Sequence, residues 1–215
     1  MFGRYRPKHR GRTHKSERHL FKGAHLIVFM LIVYFGTIGI RSSLFQVFAV
    51  PSASMDPTLV VGDRILVNKT EVFEYKRGDV VVFKDPDNWM QPPPRGKLLR
   101  ITDSVGLTEA QIYFVKRIIG LPGDHVFCCD ERGLIEVNGK PLKQDHHPVG
   151  DSASKIPFDV VLPEGKYWVM GDNRSNSADS RAHMNSDTHG YVDVKDLKGR
   201  VEMVLFPFSV FQSMK

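Results

Sequence analysis

The sequence predicts a mostly β protein: a single N-terminal transmembrane helix, then an outer domain of largely antiparallel strands. Three observations carry that prediction. Eighteen residues, Gly23–Ile40, pass without Lys, Arg, Asp or Glu directly after a cationic arm. Short apolar runs then alternate with turn residues to the end of the 215-residue chain. No second stretch holds a 3.6-residue apolar period long enough for another major helix.

The arm comes first. Residues 1–22 carry eight Lys/Arg against one acid, Glu17, a net of +7, so the overall +6 leaves the body slightly acidic. The basic excess belongs to a tail, and the body has no charge that would suggest nucleic-acid binding. The uncharged stretch GAHLIVFMLIVYFGTIGI reaches roughly 27 Å as a helix, enough to cross a hydrocarbon core with Arg41 snorkelling at its end. A buried helix of a soluble protein rarely follows such an arm so closely. A cleaved secretory signal is the second rival, but its cationic region would be unusually long. The expected organisation is a cytoplasmic arm over 1–22, an uncleaved anchor over 23–41 and an extracytoplasmic domain over 42–215. His25 is expected at the membrane interface. The C-terminal run Met203–Met214 is too short to span, is interrupted by Pro207, and reads as a final strand.

In the outer domain, Ile65–Val67, Val80–Phe83, Ile112–Val115, Tyr167–Met170 and Val201–Phe206 read as strands. Asn138-Gly139, inside LIEVNGKPL, fits a type I′ hairpin turn. Residues 85–112 read as a loop or insertion: Pro86 and Pro92-Pro93-Pro94 stiffen its first part, and Ser104–Gln111 is compatible with a short helix. Gln144–Lys155 is polar and reads as a second loop. Cys128-Cys129 are neighbours, and strand alternation would point their thiols to opposite faces, so they read as two small packing residues rather than a bridge or metal site.

Several motifs are decoys. Ser152-Ala-Ser-Lys155 matches S-x-x-K, but the S-D-N and K-T-G elements that accompany it elsewhere are missing. His146-His147 with Asp145 and Asp151 are bunched in one loop, without the second cluster a metal site needs. His183 lies near Ser177, Asp179 and Ser180 in sequence, yet triad members normally come from separated segments.

Three other segments agree with one another. VPSASMDPTL places Ser52 and Ser54 between Pro51 and Pro57, just beyond the anchor. YFVKRIIGLPGD puts Lys116 inside an apolar strand pattern, where a lysine is costly unless neutral or paired. GDNRSNSADSR is a dense polar turn after a buried-looking strand. With VVGDRILVNK and KRGDVVVFKDP between them, these segments resemble, in order and spacing, the boxes of the bacterial type I signal peptidases. Those are membrane-anchored serine proteases with a Ser/Lys pair. The resemblance runs roughly from Arg41 to Phe206. The related endoplasmic-reticulum branch carries His where this chain has Lys116.

The resemblance implies Ser54 as nucleophile and Lys116 as general base. It also implies an oxyanion hole from the Ser52 hydroxyl and the Ser54 backbone N–H, Ser177 orienting the lysine amine, and an Asp179–Arg181 pair shaping the floor. Ser175 stands where an acid can occur in the family. The implied substrates are secretory preproteins cut after a small-x-small (Ala-x-Ala) segment lying extended against strand edges, with membrane lipids and a secretion translocon as neighbours. Localisation in the bacterial plasma membrane follows, with one span, the N-terminus in the cytoplasm and the catalytic domain outside. No cofactor or metal is implied. The chemistry agrees: a base working at neutral pH must not already hold a proton, and desolvation by Tyr113, Phe114, Val115, Ile118 and Ile119 can bring that about for a lysine. An anchored β module that binds envelope proteins or polysaccharide is the rival from another class, but it gives Ser54, Lys116 and Ser177 no reason to coincide. A self-cleaving Ser/Lys repressor with a DNA-binding arm fails because an apolar span follows the arm.

Overall fold

A computed structural model describes residues 27–36, 39, 44–70, 74–86, 88–90, 112–143 and 153–206. The chain divides into two units, Met1–Ser43 and Leu44–Lys215, each described here by itself. In the first, residues 27–36 are helical and their side chains exposed, among them Ile27, Phe29, Ile32 and Phe35. Among the described residues no helix is long and apolar enough to cross a membrane. The arm and the remaining ends of the expected anchor lie outside the described residues.

The second unit is built from two antiparallel sheets. Its strands are β1 (Phe45–Ala49), β2 (Arg64–Asn68), β3 (Val80–Lys84), β4 (Tyr113–Gly120), β5 (His125–Cys128), β6 (Ile135–Val137), β7 (Lys140–Pro141), β8 (Phe158–Val161), β9 (Lys166–Met170), β10 (Val192–Asp193) and β11 (Leu197–Phe206). The larger sheet runs in the order β1-β2-β11-β3-β4-β9-β10, and the smaller is β7-β6-β5-β8. The five short apolar runs read as strands fall within or against these elements; of Met203–Met214 only 203–206 is described, as the end of β11. Asn138 and Gly139 both take positive φ, 53° and 71°, and join β6 to β7 as a type I′ turn requires.

The run Val80-Val-Val-Phe83 explains itself through packing. Val80 and Val82 enter a core with Met55, Leu59, Ile65, Val67 and Val204, whereas Val81 and Phe83 enter another with Phe114, Ile118 and Val169. Both faces of β3 are covered, so the strand is apolar throughout instead of alternating. A third core, around Trp168, Val126, Ile135 and Phe158, joins the smaller sheet to the end of β9. One expectation is corrected. Cys128 and Cys129 are joined in a disulfide across a cis peptide, so their sulfurs meet instead of diverging as strand alternation would require. Cys128 still packs in the third core. Of the polar loops, only 85–86, 88–90, 112 and 153–155 are described.

Candidate active site

The nucleophile segment folds as one 3-10 turn, Ala53–Met55, closed by the Asp56 N–H donating to Ala53 O at 3.2 Å. Met55 and Leu59 are fully buried beneath it and fasten the turn to the core behind β2 and β3. On this turn Ser54 Oγ lies 2.7 Å from Lys116 Nζ, which arrives from β4, 62 residues along the chain. Ser52 Oγ lies 3.3 Å from Ser54 Oγ. The amine also donates to Val115 O at 3.1 Å and sits 5.9 Å from the centre of the Phe114 ring.

Lys116 is 3% exposed. Burial lowers its amine from the ordinary 10.5 to about 8; Arg181 reinforces the shift, while Asp179 and Asp172 oppose it. With that value a minority of the amines are neutral near pH 7 and most are above about 8, so a base able to take a proton is present at working pH.

The floor is made by the turn after β9. Burial alone would raise the Asp179 carboxyl, but Arg181 and the Gly171 N–H hold it below the usual carboxylate range. Arg181 grips it with Nε to Oδ1 at 2.8 Å and Nη2 to Oδ2 at 2.7 Å. Gly171 N–H donates to Asp179 Oδ2 at 2.9 Å, and Val169 N–H donates to Ser180 Oγ at 3.0 Å, folding this turn back on β9. Ser177 Oγ is buried against Gly171, where a Cβ would come within 2.3 Å of both Ser177 Oγ and the Ser54 carbonyl. Glycine is required there by close approach rather than by φ. Among the described residues the Lys116 amine meets Ser54 and Val115, not Ser177.

All six residues that the resemblance pointed to therefore converge here: Ser52, Ser54, Lys116, Ser177, Asp179 and Arg181. Four further residues escaped the sequence reading. Arg117 forms a second buried bidentate pair, with Asp172. Asn173 bonds the nucleophile turn through both its backbone and its side chain. Arg174 is buried, its guanidinium lowered to about 10 by burial first and by Arg181 second, and it donates to Gly171 O and Ala153 O. For Asp172 and Arg174 the available signal was the charge density of the same polar turn, GDNR.

Of the decoys, His183 is the one whose ring is described. The His183 ring stacks flat on Trp89, centroids 4.4 Å apart and planes 5° from parallel. Among the described residues no cluster of three or more His, Cys, Asp or Glu is placed to hold a metal. Ser152, His146, His147 and Asp151 lie outside the described residues.

A cleft of about 400 Å³ opens beside Ser54, between Val50–Met55 and Ile112–Lys116, with Met90 and Ala178 on its rim. β3 pairs with Tyr113–Arg117, but β9 pairs only from Arg117 onward. The edge of Tyr113–Val115 facing away from β3 therefore has no strand partner among the described residues.

The chain is similar to known proteins over most of its length. A family model described as signal peptidase, peptidase S26, matches residues 22–206. A signal peptidase I of Bacillus licheniformis is 37% identical over 180 residues, covering 79% of this chain and 81% of that protein. A signal peptidase I T of Bacillus subtilis is 31% identical over 211 residues, covering 94% of this chain and 92% of that one. A solved signal peptidase I from Enterococcus faecalis aligns with a TM-score of 0.40 at 24% identity, over 60% of this chain and 98% of that chain.

Proposed function

Because the chain belongs to the signal peptidase family, peptidase S26, we propose that Ser54 and Lys116 carry out its removal of signal peptides from preproteins. The observation that supports this assignment most directly is the 2.7 Å approach of a buried lysine, its affinity for a proton lowered by burial, to the Ser54 hydroxyl.

Ser54 Oγ attacks the carbonyl carbon of the scissile peptide, and its proton passes to neutral Lys116 Nζ. The carbonyl π pair becomes an oxyanion, which the Ser54 backbone N–H and the Ser52 hydroxyl receive. Collapse re-forms the carbonyl and breaks the C–N bond. The Lys116 ammonium protonates the departing amine, the new N-terminus of the mature protein. Water then attacks the Ser54 ester with Lys116 again as base, releasing the signal peptide as a carboxylic acid. The expected grip of Ser177 on the amine is not made in this structure, where Val115 O accepts from the amine on its non-reacting side; the Asp179–Arg181 pair keeps the floor rigid.

The substrate lies as an added strand on the open edge of Tyr113–Val115, with its small-x-small segment in the cleft beside Ser54. Residues 23–41 anchor the domain as a single span with the basic arm in the cytoplasm, and 42–215 stands outside, close to lipid and to the secretion translocon. Exposed Phe45, Val47 and Phe206 give it an apolar edge toward that surface.

The test is to incubate the full chain, solubilised in detergent, with a preprotein and sequence the new N-terminus. A single cut after a small-x-small segment is expected, and none with Ser54→Ala. Cutting by Ser54→Ala at the same bond would overturn the proposal.

A further inference from the structure

We infer that Asn173 is a positioning residue that aims and strengthens the Ser54 backbone N–H as an oxyanion donor. The inference rests on the reading of Ser54 as nucleophile and adds a residue to it. Asn173 follows β9 by three positions and bonds the nucleophile turn twice. Its backbone N–H donates to Ser54 O at 3.1 Å, and its side-chain Nδ2 donates to Ala53 O at 3.1 Å.

The second bond is the informative one. Ala53 O and the Ser54 N–H belong to one peptide group, and that group is planar and trans. Holding its oxygen fixes the N–H to point the opposite way. The same oxygen also accepts the Asp56 N–H at 3.2 Å, so both of its lone pairs are engaged. Donors on the carbonyl of an amide polarise it and make its N–H a stronger donor. A 3-10 turn of three residues has little intrinsic persistence, so this tie from 120 residues away supplies what local bonding cannot. The bond from Asn173 N–H to Ser54 O holds the next peptide group as well, leaving neither side of Ser54 free to rotate.

Two details give the residue type its reason. Ser175 Oγ donates to Asn173 Oδ1 at 3.3 Å, which sets the amide so that Nδ2 faces Ala53. Gly171, where a Cβ would meet the Ser54 carbonyl at 2.3 Å, lets the whole loop come close enough. Aspartate would match the shape but set oxygen against oxygen.

The experiment compares the full chain with its Asn173→Ala, Asn173→Asp, Ser175→Ala and Ser54→Ala variants on one preprotein, with rates referred to active sites titrated by burst. Losing one oxyanion donor outright costs about 10²–10³ in kcat, so weakening one should cost Asn173→Ala about tenfold, with KM nearly unchanged. Asn173→Asp should fall further. Ser175→Ala, at an exposed position that carries no folding risk, should lose about two- to fivefold as the amide becomes free to flip. A peptide boronate, whose adduct puts an oxygen in the hole, should weaken in step with kcat/KM, while the pH at which activity rises stays put. A merely structural role would lower the number of titrated sites and leave kcat per site and boronate affinity intact; that result overturns the inference. If Ser54→Ala is inactive and all three other variants turn over normally per site, this inference alone falls. If Ser54→Ala still cleaves, the nucleophile reading falls and takes this one with it.

Discussion

Arg117 holds Asp172 in a two-pronged ion pair, Nε to Oδ1 at 2.8 Å and Nη2 to Oδ2 at 2.6 Å, with the acid wholly buried. Thr58 Oγ1 donates to the same carboxylate, and Arg117 Nη1 donates to Gly78 O at 2.6 Å. Strand alternation sends Lys116 and Arg117 to opposite faces of β4. One neighbour therefore meets the nucleophile while the other ties the strand to the turn after β9 and to the segment after PSASM. Removing one partner of a buried pair leaves an uncompensated charge, at a cost of about 3–5 kcal/mol. Asp172→Asn should lower the denaturant midpoint of the solubilised protein accordingly. Thr58→Val should cost only about 1 kcal/mol, as for a single hydrogen bond. Equal, small effects for both would show that the pair does not organise the site.

The strands were legible because they obey short-range rules, whereas the serine–lysine pairing, 62 residues apart, came only from the resemblance. An apolar run covered on two faces, as in β3, must be written almost without interruption, and a lysine in such a run, as at Lys116, stands out. Asn138-Gly139 was legible because few dipeptides suit two positive φ values in succession. Asn173 was not legible. Its partners, Ala53 O and Ser54 O, are backbone atoms 120 and 119 positions away, and no residue type marks a carbonyl as needing a donor. Arg117 was hidden by Lys116, since beside one unusual cation a second reads as ordinary strand polarity. The Cys128-Cys129 bridge was missed because strand alternation was applied across a strand end: Cys128 is the last residue of β5.

The two serines should separate under mutation. Ser54→Ala should abolish preprotein cleavage, because no other hydroxyl can replace the nucleophile. Ser52→Ala should lower kcat roughly 10²–10³-fold, as a lost oxyanion donor does. Each change removes one small hydroxyl, so circular dichroism should stay unchanged. An inactive Ser52→Ala beside a normal Ser54→Ala would invert the roles.

His183 should prove to be a wall rather than a base. Its partner Trp89 packs against Phe83 and Phe114, with centroids 5.8 and 5.9 Å away, and the next residue, Met90, rims the cleft. Asp85 accepts the N–H groups of Trp89 and Met90 at 2.7 and 3.1 Å and fixes that short turn. Trp89→Ala should let Met90 move and relax the exclusion of larger side chains. The kcat/KM ratio for Ala over Leu before the cut should then fall about tenfold, within the range a hydrophobic pocket can provide. An unchanged ratio would remove Trp89 from specificity.

Orientation follows from the +7 arm before the uncharged run, of which the described part exposes Ile27, Phe29, Ile32 and Phe35. Protease added to spheroplasts should digest the body beyond Arg41 and spare residues 1–22. Digestion of the arm with protection of the body would reverse the topology, and cleavage of preproteins outside the cell would then be untenable.

Lys116 links the pH dependence of activity to that of stability. Burial, chiefly, brings its amine from 10.5 to about 8, so kcat/KM should rise with pH through about 8 and level off above. The linkage has a definite sign. Between about 8 and 10.5 the folded state holds fewer protons than the unfolded chain, so stability rises with pH across that window. Below it, the folded state carries the full cost of a buried ammonium, up to about 3 kcal/mol for a displacement of this size. Lys116→Met keeps a chain of similar shape without the charge. It should be inactive yet more stable than the wild type at pH 7, with the advantage shrinking as pH approaches 10.5. Lys116→Arg should be inactive without that gain, since a guanidinium stays protonated and cannot act as base. His183→Ala should leave the rise near pH 8 in place. An active Lys116→Met enzyme, or a rise that vanishes in His183→Ala, would transfer the proton from the lysine to the histidine and overturn the assignment.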